Sequence, residues 1–440
     1  MKVMKFGGTS VGRPERMKHI AALLQKQTEP ALVVLSALSG TTNALVTIGD
    51  NIAAGDRHTA TQNINALHEH YKTFIRELLL DEDAYKKAQA IVEEHFDFLN
   101  IILKISFSEA LSKDILAQGE LLSTKIFCCY LEEAGASYAL LPALEFMSID
   151  ENEEPQIGTI RTRLTQLIHQ HKDKKILVTQ GYICKNARGE VDNLKRGGSD
   201  YTASLVAAAI NASVCEIWTD IDGMHNNDPR VVNKTVPVEQ LSFDEAAELA
   251  YFGAKILHPA SIWPAQQYKI PVRLLNTMAP DAKGTLITQD AASAGVKAVA
   301  AKDNIIAIKI KSGRMLLAYG FLRKVFEVFE KYKTPIDMIT TSEVAVSITI
   351  DNAEHLKQII KELEVLGSVE VDEGQTIISV VGHNINETEE IIKKLFGSIR
   401  SIPIRMVSYG GSRHNISLLV AAEHKTQLLQ QLNKGMFGLN

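Results

Sequence analysis

The stretch Val3-Met4-Lys5-Phe6-Gly7-Gly8-Thr9-Ser10-Val11-Gly12 decides the fold, because a short apolar run leads into glycines and hydroxyls. Arg13-Pro14 follows, and proline suits the first turn of a helix, where its missing N–H would have no partner. Glycine lets backbone amides approach an anion closely, and a helix N-terminus adds roughly half a positive charge. The order of strand, glycine turn and helix therefore predicts a phosphate-binding loop, with a purely structural turn as the alternative.

This loop matches no common nucleotide motif. Gly7 and Gly12 have the spacing of the Walker A glycines, but Arg13-Pro14 stands where that motif requires Lys-Ser/Thr. The sequence also lacks the Gly-x-Gly-x-x-Gly pattern of dinucleotide-binding proteins. The lysine that belongs to the loop is Lys5, which we expect at the end of the first strand.

Composition limits the functional classes. A chain of 440 residues with a net charge of -5 predicts about two or three domains and argues against nucleic-acid binding. The longest apolar stretch, near residues 205–210, is too short to span a bilayer, and no signal core begins the chain, so we expect no membrane partner and a cytoplasmic location. The four cysteines form no Cys-x-x-Cys pair and indicate reduced, buried thiols. The His68/His70 and His169/His171 pairs favour solvated helix faces over metal sites.

The residues after the first loop predict a parallel sheet. Residues 16–27 have helical apolar spacing and residues 31–35 are continuously apolar, which together indicate a β-α-β unit. Ser36 to Asn43 then follow at a strand's carboxyl end, where open α/β sheets bind ligands, although a plain Ser/Thr turn is the alternative. Residues 56–104 are predicted to be helical. Glu120 is predicted just before a helix over 121–131, as a ligand or as a capping carboxylate.

A second glycine loop spans residues 194–202 and precedes a helix over 203–211. Arg196 offers a planar fork for a carboxylate or phosphate, whereas Asp200 at the helix start is either functional or an N-cap. A further strand, 214–219, ends in polar residues 220–230. Lys255 follows a predicted helix over 243–252, where an ordinary surface lysine is the alternative.

Beyond residue 291 the pattern changes to that of ferredoxin-like modules. Residues 305–371 predict β-α-β-β-α-β, and residues 377–432 predict β-α-β-β-α, one strand short. The apolar run 296–300 can supply that strand, so we expect the first module to be inserted into the second. The expected domains are a catalytic domain, 1–290, a first module, 304–374, and a second module made of 295–303 and 375–440.

At this point the sequence resembles the aspartokinase family. The resemblance rests on the motifs at residues 5–11, 196–202, 218–220 and 228–230, with 340–344 and 413–415 similar to its paired ACT domains. It covers essentially the whole chain, and its later part is similar to the monofunctional, lysine-responsive branch. It implies an α/β amino-acid-kinase fold, an open and mostly parallel sheet sandwiched by helices, followed by two α+β ferredoxin-like ACT domains.

The resemblance implies phosphoryl transfer from MgATP to the β-carboxylate of L-aspartate, which gives 4-phospho-L-aspartate and begins lysine, threonine and methionine biosynthesis. A carboxylate is already ionised at pH 7, so the reaction needs charge neutralisation rather than a general base. The family pattern makes Lys5 and Asp200 the catalytic residues, with Asp200 orienting Lys5.

The resemblance also implies which residues bind aspartate and which bind the nucleotide. The aspartate-binding residues are Ser39, Thr42, Glu120, Arg196 and Ser199, with Arg196 on the α-carboxylate and Glu120 on the α-ammonium. The nucleotide-binding residues are Gly7, Gly8, Ser10, Thr219, Asp220, His225, Arg230 and Lys255, with His225 where the family often has tyrosine. Mg²⁺ is expected on phosphates and water, and no residue is assigned as its ligand.

For regulation, the resemblance implies feedback by an amino acid, with L-lysine as the expected effector. Its pocket would comprise Met315, Ala318, Phe321, Leu322, Ile336 and Asp337, with Asp337 pairing with an ammonium group. The alternative is that these are core residues of an ordinary module. ACT pairing implies a homodimer or a dimer of dimers. Rival functions are a same-fold kinase for another carboxylate and a catalytically silent amino-acid sensor.

Overall fold

The computed structural model describes residues 1–194, 197–253, 257–290, 294–313 and 319–439. Its strands are β1 (Lys2–Phe6), β2 (Ala31–Leu35), β3 (Tyr138–Leu140), β4 (Ile176–Gln180), β5 (Ile183–Lys185), β6 (Val191–Asn193), β7 (Cys215–Thr219), β8 (Gln240–Ser242), β9 (Val272–Asn276), β10 (Thr285–Thr288), β11 (Gly295–Lys311), β12 (Ile339–Thr341), β13 (Ala345–Ile350), β14 (Ser368–His383), β15 (Met406–Ser408) and β16 (Asn415–Ala421). Its helices are α1 (Gly8–Val11), α2 (Pro14–Gln25), α3 (Thr41–Ala53), α4 (Arg57–Leu78), α5 (Glu82–Ile102), α6 (Glu109–Glu133), α7 (Ala143–Phe146), α8 (Ile157–Gln170), α9 (Gly198–Ile210), α10 (Phe243–Tyr251), α11 (Pro259–Gln267), α12 (Phe321–Lys331), α13 (Leu356–Leu363), α14 (Glu389–Ser398) and α15 (Lys425–Phe437).

The elements form two compact units. The first unit is Met1–Met224 with Leu257–Gln289, and the second is His225–Ile256 with Asp290–Asn440. The segment His225–Ile256 therefore lies in the second unit. The physical reason is packing, since Val232 is buried in an apolar cluster with residues of α15.

The first unit is built on a mostly parallel sheet, as the sequence predicts. Its strands lie in the order β3-β4-β2-β1-β7-β9-β10, and β10 alone among them runs antiparallel to its neighbour. Every residue of β2 is buried, which explains its continuous apolar run. The polar segment after β4 forms the antiparallel hairpin β5-β6. The central position of β1 brings Lys5 to the middle of the sheet.

The helical layer after α3 corrects one prediction. Gln118, Gly119 and Glu120 lie inside the long helix α6 and do not precede it. The helix begins early because the Ser108 hydroxyl accepts a hydrogen bond from the Leu111 N–H at 3.3 Å. Gly119 is needed for packing, since a Cβ there would lie 2.8 Å from Ala37 Cβ. A glycine in mid-helix is thus a close-contact residue and does not mark a helix start.

The second unit contains one antiparallel sheet with the order β12-β13-β11-β14-β16-β15. The predicted pairing of 296–300 with 377–381 is confirmed, because Val299 pairs with Val380 and Ala300 with Ser379. The long strands β11 and β14 each pass through both modules, with register shifts between Lys302 and Ala307. Each module has its own apolar cluster. In the first module, the short strand β12 begins at Ile339.

Candidate active site

Lys5 and Asp200 form an ion pair at the carboxyl end of the central strand. The Lys5 Nζ lies 2.6 Å from Asp200 Oδ1, and the two side chains are 11% and 19% exposed. Asp200 sits in the first turn of α9, which begins after Gly197 in a left-handed conformation (φ 70°). A carboxylate is favoured at a helix N-terminus, so the fold holds Asp200 in place and Asp200 holds the ammonium.

The first glycine loop packs tightly against the hydroxyl-rich loop after β2. A Cβ on Gly8 would lie 3.1 Å from the Ala37 carbonyl oxygen, and one on Gly12 would lie 2.7 Å from Ser39 Cβ. A Cβ on Gly7 would lie 3.3 Å from Lys5 Nζ. Gly8–Val11 forms the short helix α1, where the sequence predicts an open loop before Arg13-Pro14. The glycines therefore allow two loops and the lysine to approach one another.

Ser10 is held by the fold on the other side of the loop. Its hydroxyl lies 2.7 Å from Thr277 Oγ1 and donates to the Trp218 carbonyl at 3.4 Å. Ser10 is buried, so this hydroxyl anchors α1 to the ends of β7 and β9. Thr219 follows Trp218, and its hydroxyl donates to Asp220 Oδ1 at 3.1 Å. Thr277 is a supporting residue that the sequence analysis missed, because nothing local links positions 10 and 277.

Glu120 is a buried carboxyl group with an oxygen to spare. Its Oε1 accepts a hydrogen bond from the Ala37 N–H at 3.3 Å. Among the described residues, no group bonds to its buried Oε2. The residue is 3% exposed, and burial raises its pKa to about 8, against the opposing effect of the Ala37 N–H. A buried polar atom normally has a partner, so this oxygen suits an incoming cation.

The hydroxyl groups predicted to bind substrate lie at the same carboxyl edge. Ser39 is exposed and Thr42 is half-buried at the start of α3. Next to Thr42, the buried Thr41 hydroxyl lies 3.1 Å from the Tyr71 hydroxyl, a support under the loop that the sequence analysis also missed. Ser199 is buried in the first turn of α9.

Gly181 explains how β4 reaches α9. A Cβ on Gly181 would lie 2.3 Å from Ser199 Oγ, so only glycine fits this approach. The Thr202 hydroxyl then accepts a hydrogen bond from the Tyr182 N–H at 2.8 Å. These contacts bring Ser199 to the end of β4, as expected for a ligand loop. Arg196 lies outside the described residues.

The second unit contains the remaining predicted nucleotide residues. His225 Nδ1 lies 2.7 Å from Thr235 Oγ1. The Arg230 guanidinium donates to both Asp228 carboxylate oxygens, at 2.9 and 2.8 Å, and its side chain is 80% exposed. Lys255 lies outside the described residues. His225 and Arg230 therefore each have a partner within the same segment.

The predicted effector pocket is described in part. Phe321 is buried, Ile336 is half-buried and Leu322 is exposed, while Met315 and Ala318 lie outside the described residues. Asp337 Oδ1 accepts hydrogen bonds from Lys302 Nζ at 2.6 Å and from the Tyr251 hydroxyl at 3.0 Å. In the part of the chain that is described, its buried Oδ2 has no hydrogen-bond partner. Asp337 therefore already binds one ammonium, that of Lys302, and keeps one oxygen for another donor.

Neither a metal-binding cluster nor a membrane-spanning helix is found among the described residues. No three His, Cys, Asp or Glu side chains there come together in a way that would hold a metal ion. No described helix combines the length and apolar character needed to cross a membrane.

Known proteins similar to this chain cover nearly all of it. The Amino acid kinase family matches residues 1–276, and an ACT domain family matches residues 378–436. Lysine-sensitive aspartokinase 3 of Escherichia coli is 32% identical over 447 residues, with 99% of each chain covered. The crystal structure of E. coli aspartokinase III with aspartate and ADP has a TM-score of 0.83 at 32% identity, covering 99% of this chain and 100% of that chain. Its structure with lysine and aspartate also has a TM-score of 0.83 at 32% identity, with 99% of each chain covered.

Proposed function

This chain belongs to the aspartokinase family, and we propose that it transfers a phosphoryl group from ATP to the β-carboxylate of L-aspartate, giving 4-phospho-L-aspartate. This is the first step towards lysine, threonine and methionine. The observation that carries the proposal is the Lys5–Asp200 ion pair at the carboxyl end of β1. It places an oriented cation where an open α/β sheet binds its ligands.

The chemistry requires an anion to approach a polyanion. The β-carboxylate needs no base, because it is ionised at neutral pH. Lys5 neutralises the charge on the phosphoryl group in transit, and Asp200 fixes the direction of the ammonium. Asp200 accepts no proton in this scheme, because its carboxylate is already used by Lys5 at 2.6 Å.

The amino-acid substrate is held by its two other charged groups. The spare oxygen of Glu120 receives the α-ammonium, since it is buried and has no hydrogen-bond partner among the described residues. Arg196 receives the α-carboxylate in a bidentate pair. The hydroxyls of Ser39, Thr42 and Ser199 complete the substrate contacts. This arrangement selects a dicarboxylic amino acid over a simple carboxylate.

The nucleotide is bound by the residues that the family pattern identifies, which are Gly7, Gly8, Ser10, Thr219, Asp220, His225, Arg230 and Lys255. Mg²⁺ would be held mainly by phosphate oxygens of ATP and by water, and no residue of this chain is assigned as its ligand. The Lys5–Asp200 pair fits this view, because the Asp200 carboxylate is already paired with the Lys5 ammonium. When bound, Mg²⁺ neutralises phosphate charge alongside Lys5.

L-lysine is the proposed effector, and the ACT modules are its binding region. Asp337 supports this, because its buried Oδ2 has no hydrogen-bond partner among the described residues and can accept from an ammonium group. Three further points remain predictions. They are the homodimer or dimer of dimers through the ACT modules, the cytoplasmic location, and the domain limits 1–290, 304–374 and 295–303 with 375–440.

A coupled assay of ADP release tests the function. We expect ADP release that depends on L-aspartate and falls when L-lysine is added, with L-threonine as the comparison effector. Acetylglutamate and glutamate are the competing acceptors. Turnover of one of these in place of aspartate would indicate a same-fold kinase of different specificity. Binding of lysine with no turnover of any acceptor would indicate a silent sensor.

A further inference from the structure

The segment that carries His225 and Arg230 is fixed to the second module by three asparagines. Asn226 Nδ2 donates to Asn433 Oδ1 at 3.2 Å, and Asn227 Nδ2 donates to the same oxygen at 3.4 Å. Asn433 Nδ2 donates in turn to the Lys234 carbonyl at 3.0 Å. The Asn433 side chain therefore bonds to Asn226 and to Lys234, the two ends of a loop that begins next to His225.

This polar cluster is fully enclosed. Asn226, Asn227 and Asn433 are only 1%, 3% and 2% exposed. Asn227 Nδ2 also donates to the Leu429 carbonyl on α15 at 3.1 Å. Buried amides of this kind are costly to leave without partners, so the cluster specifies one position of the segment relative to α15.

Backbone contacts extend the same attachment. The Val299 N–H of β11 donates to the Asn226 carbonyl at 2.8 Å, and Asn226 Oδ1 accepts from the Val236 N–H at 2.7 Å. Val232 is 4% exposed within the apolar cluster of the second module. The segment is thus an integral part of the fold of that module, although its sequence motif belongs to the nucleotide site.

We propose that Asn433 is a positioning residue for nucleotide binding, through which the second module sets the place of His225 and Arg230. The inference rests on the proposed function in one respect, that these two residues contact the nucleotide. Asn433 itself lies in α15 and holds the segment through Asn226, Asn227 and the Lys234 carbonyl, while its Nδ2 also donates to the Leu439 carbonyl at 3.5 Å. Its loss releases the loop that carries His225 and Arg230.

The test is Asn433→Leu in the full chain, which keeps the number and branching of the side-chain heavy atoms and removes all of the side chain's hydrogen bonds. We expect the KM for MgATP to rise about tenfold, which corresponds to a net loss of about 1.4 kcal/mol of buried hydrogen bonding. The KM for aspartate should change less than about twofold. The matched control is Leu418→Val, a fully buried position of β16 in the same apolar cluster. It should lower the melting temperature without raising the KM for MgATP.

A direct measurement separates this inference from the proposed function. Binding of ADP by calorimetry should weaken in Asn433→Leu and in Asn227→Ala, and the double variant should bind no more weakly than Asn433→Leu alone. If Asn433→Leu does not fold, Asn227→Ala carries the test, because it leaves the module core intact. ADP affinity equal to that of the unchanged chain in these variants would overturn the role of Asn433. Absence of aspartate turnover in the unchanged chain would overturn only the proposed function.

Discussion

The Lys5 ammonium and the Asp200 carboxylate lie 2.6 Å apart, and the strand and helix that carry them meet only in the folded chain. A second lysine of the same strand, Lys2, makes a comparable pair with Glu216 at 3.2 Å. Lys2 lies at the opposite end of β1 from the glycine loop. The two pairs therefore form a natural comparison between a catalytic and a structural ion pair.

Replacing Lys5 by alanine should lower kcat by about 10² to 10³-fold, because its contact with the phosphoryl group strengthens in the transition state. The KM for aspartate should change far less. Steady-state kinetics measure both values, and Lys2→Ala is the matched control on the same strand. Equal kcat in Lys5→Ala and the unchanged chain would remove Lys5 from the chemistry.

Asp200→Asn should lower kcat by about tenfold or more while leaving the KM for aspartate close to its normal value. The amide cannot pair with the Lys5 ammonium as the carboxylate does, so the cation loses its fixed direction. Glu216→Gln is the control, since it removes the carboxylate of the Lys2 pair. If both variants lose activity equally, Asp200 has only a structural role.

Glu120→Gln should raise the KM for aspartate by roughly 10 to 100-fold, because a charge-assisted hydrogen bond in a buried site is lost. Aspartate binding should also release a proton. With a pKa near 8 the Glu120 carboxyl is mostly protonated at pH 7 in the free protein, and the incoming ammonium favours its ionised form. Calorimetry in buffers of different ionisation enthalpy measures this release.

The same group links stability to pH. Its folded pKa of about 8 lies above the ordinary 4.5, so the folded state binds this proton more tightly than the unfolded state. The contribution is present below about pH 4.5 and is lost as the pH rises to 8. Thermal unfolding of the free protein should therefore show a pH dependence in this range that Glu120→Gln lacks. Identical profiles for both proteins would contradict the burial of a neutral Glu120.

Gly119→Ala tests the close packing of α6 on the loop after β2. The added Cβ would lie 2.8 Å from Ala37 Cβ, so we expect a loss of about 1 to 3 kcal/mol in unfolding free energy. The KM for aspartate should rise too, because the Ala37 N–H orients Glu120. Gly49→Ala in α3 is the control, since nothing lies within 4 Å of its added Cβ. A similar loss in both variants would point to helix propensity instead.

Asp337→Asn should raise the L-lysine concentration needed for half inhibition by about tenfold, because the carboxylate no longer attracts an ammonium. Asp351→Asn is a close control: Asp351 pairs with the same Lys302 Nζ, at 2.8 Å. It should leave lysine inhibition nearly unchanged. Equal shifts in the two variants would indicate that Lys302, and not the effector, explains the role of Asp337.

Much of this protein can be predicted from local sequence. A short apolar run marks β1, a continuous one marks β2 and helical spacing marks α2, and together they predict a parallel sheet with Lys5 at the end of its first strand. The missing strand of the last module was also found from the sequence, because a buried strand must be apolar wherever it lies in the chain. These features follow from backbone hydrogen bonding and burial, which act on neighbouring residues.

Only the tertiary structure decided which distant groups meet. It placed Gly119 in mid-helix against Ala37, joined Ser10 to Thr277, and paired Lys302 with Asp337. It also brought Asn226 to Asn433, and with that contact the segment His225–Ile256 into the second unit. The physical reason is that apolar periodicity and turn residues indicate which face of a helix or strand is buried. Which element packs against that face depends on residues far apart in the chain.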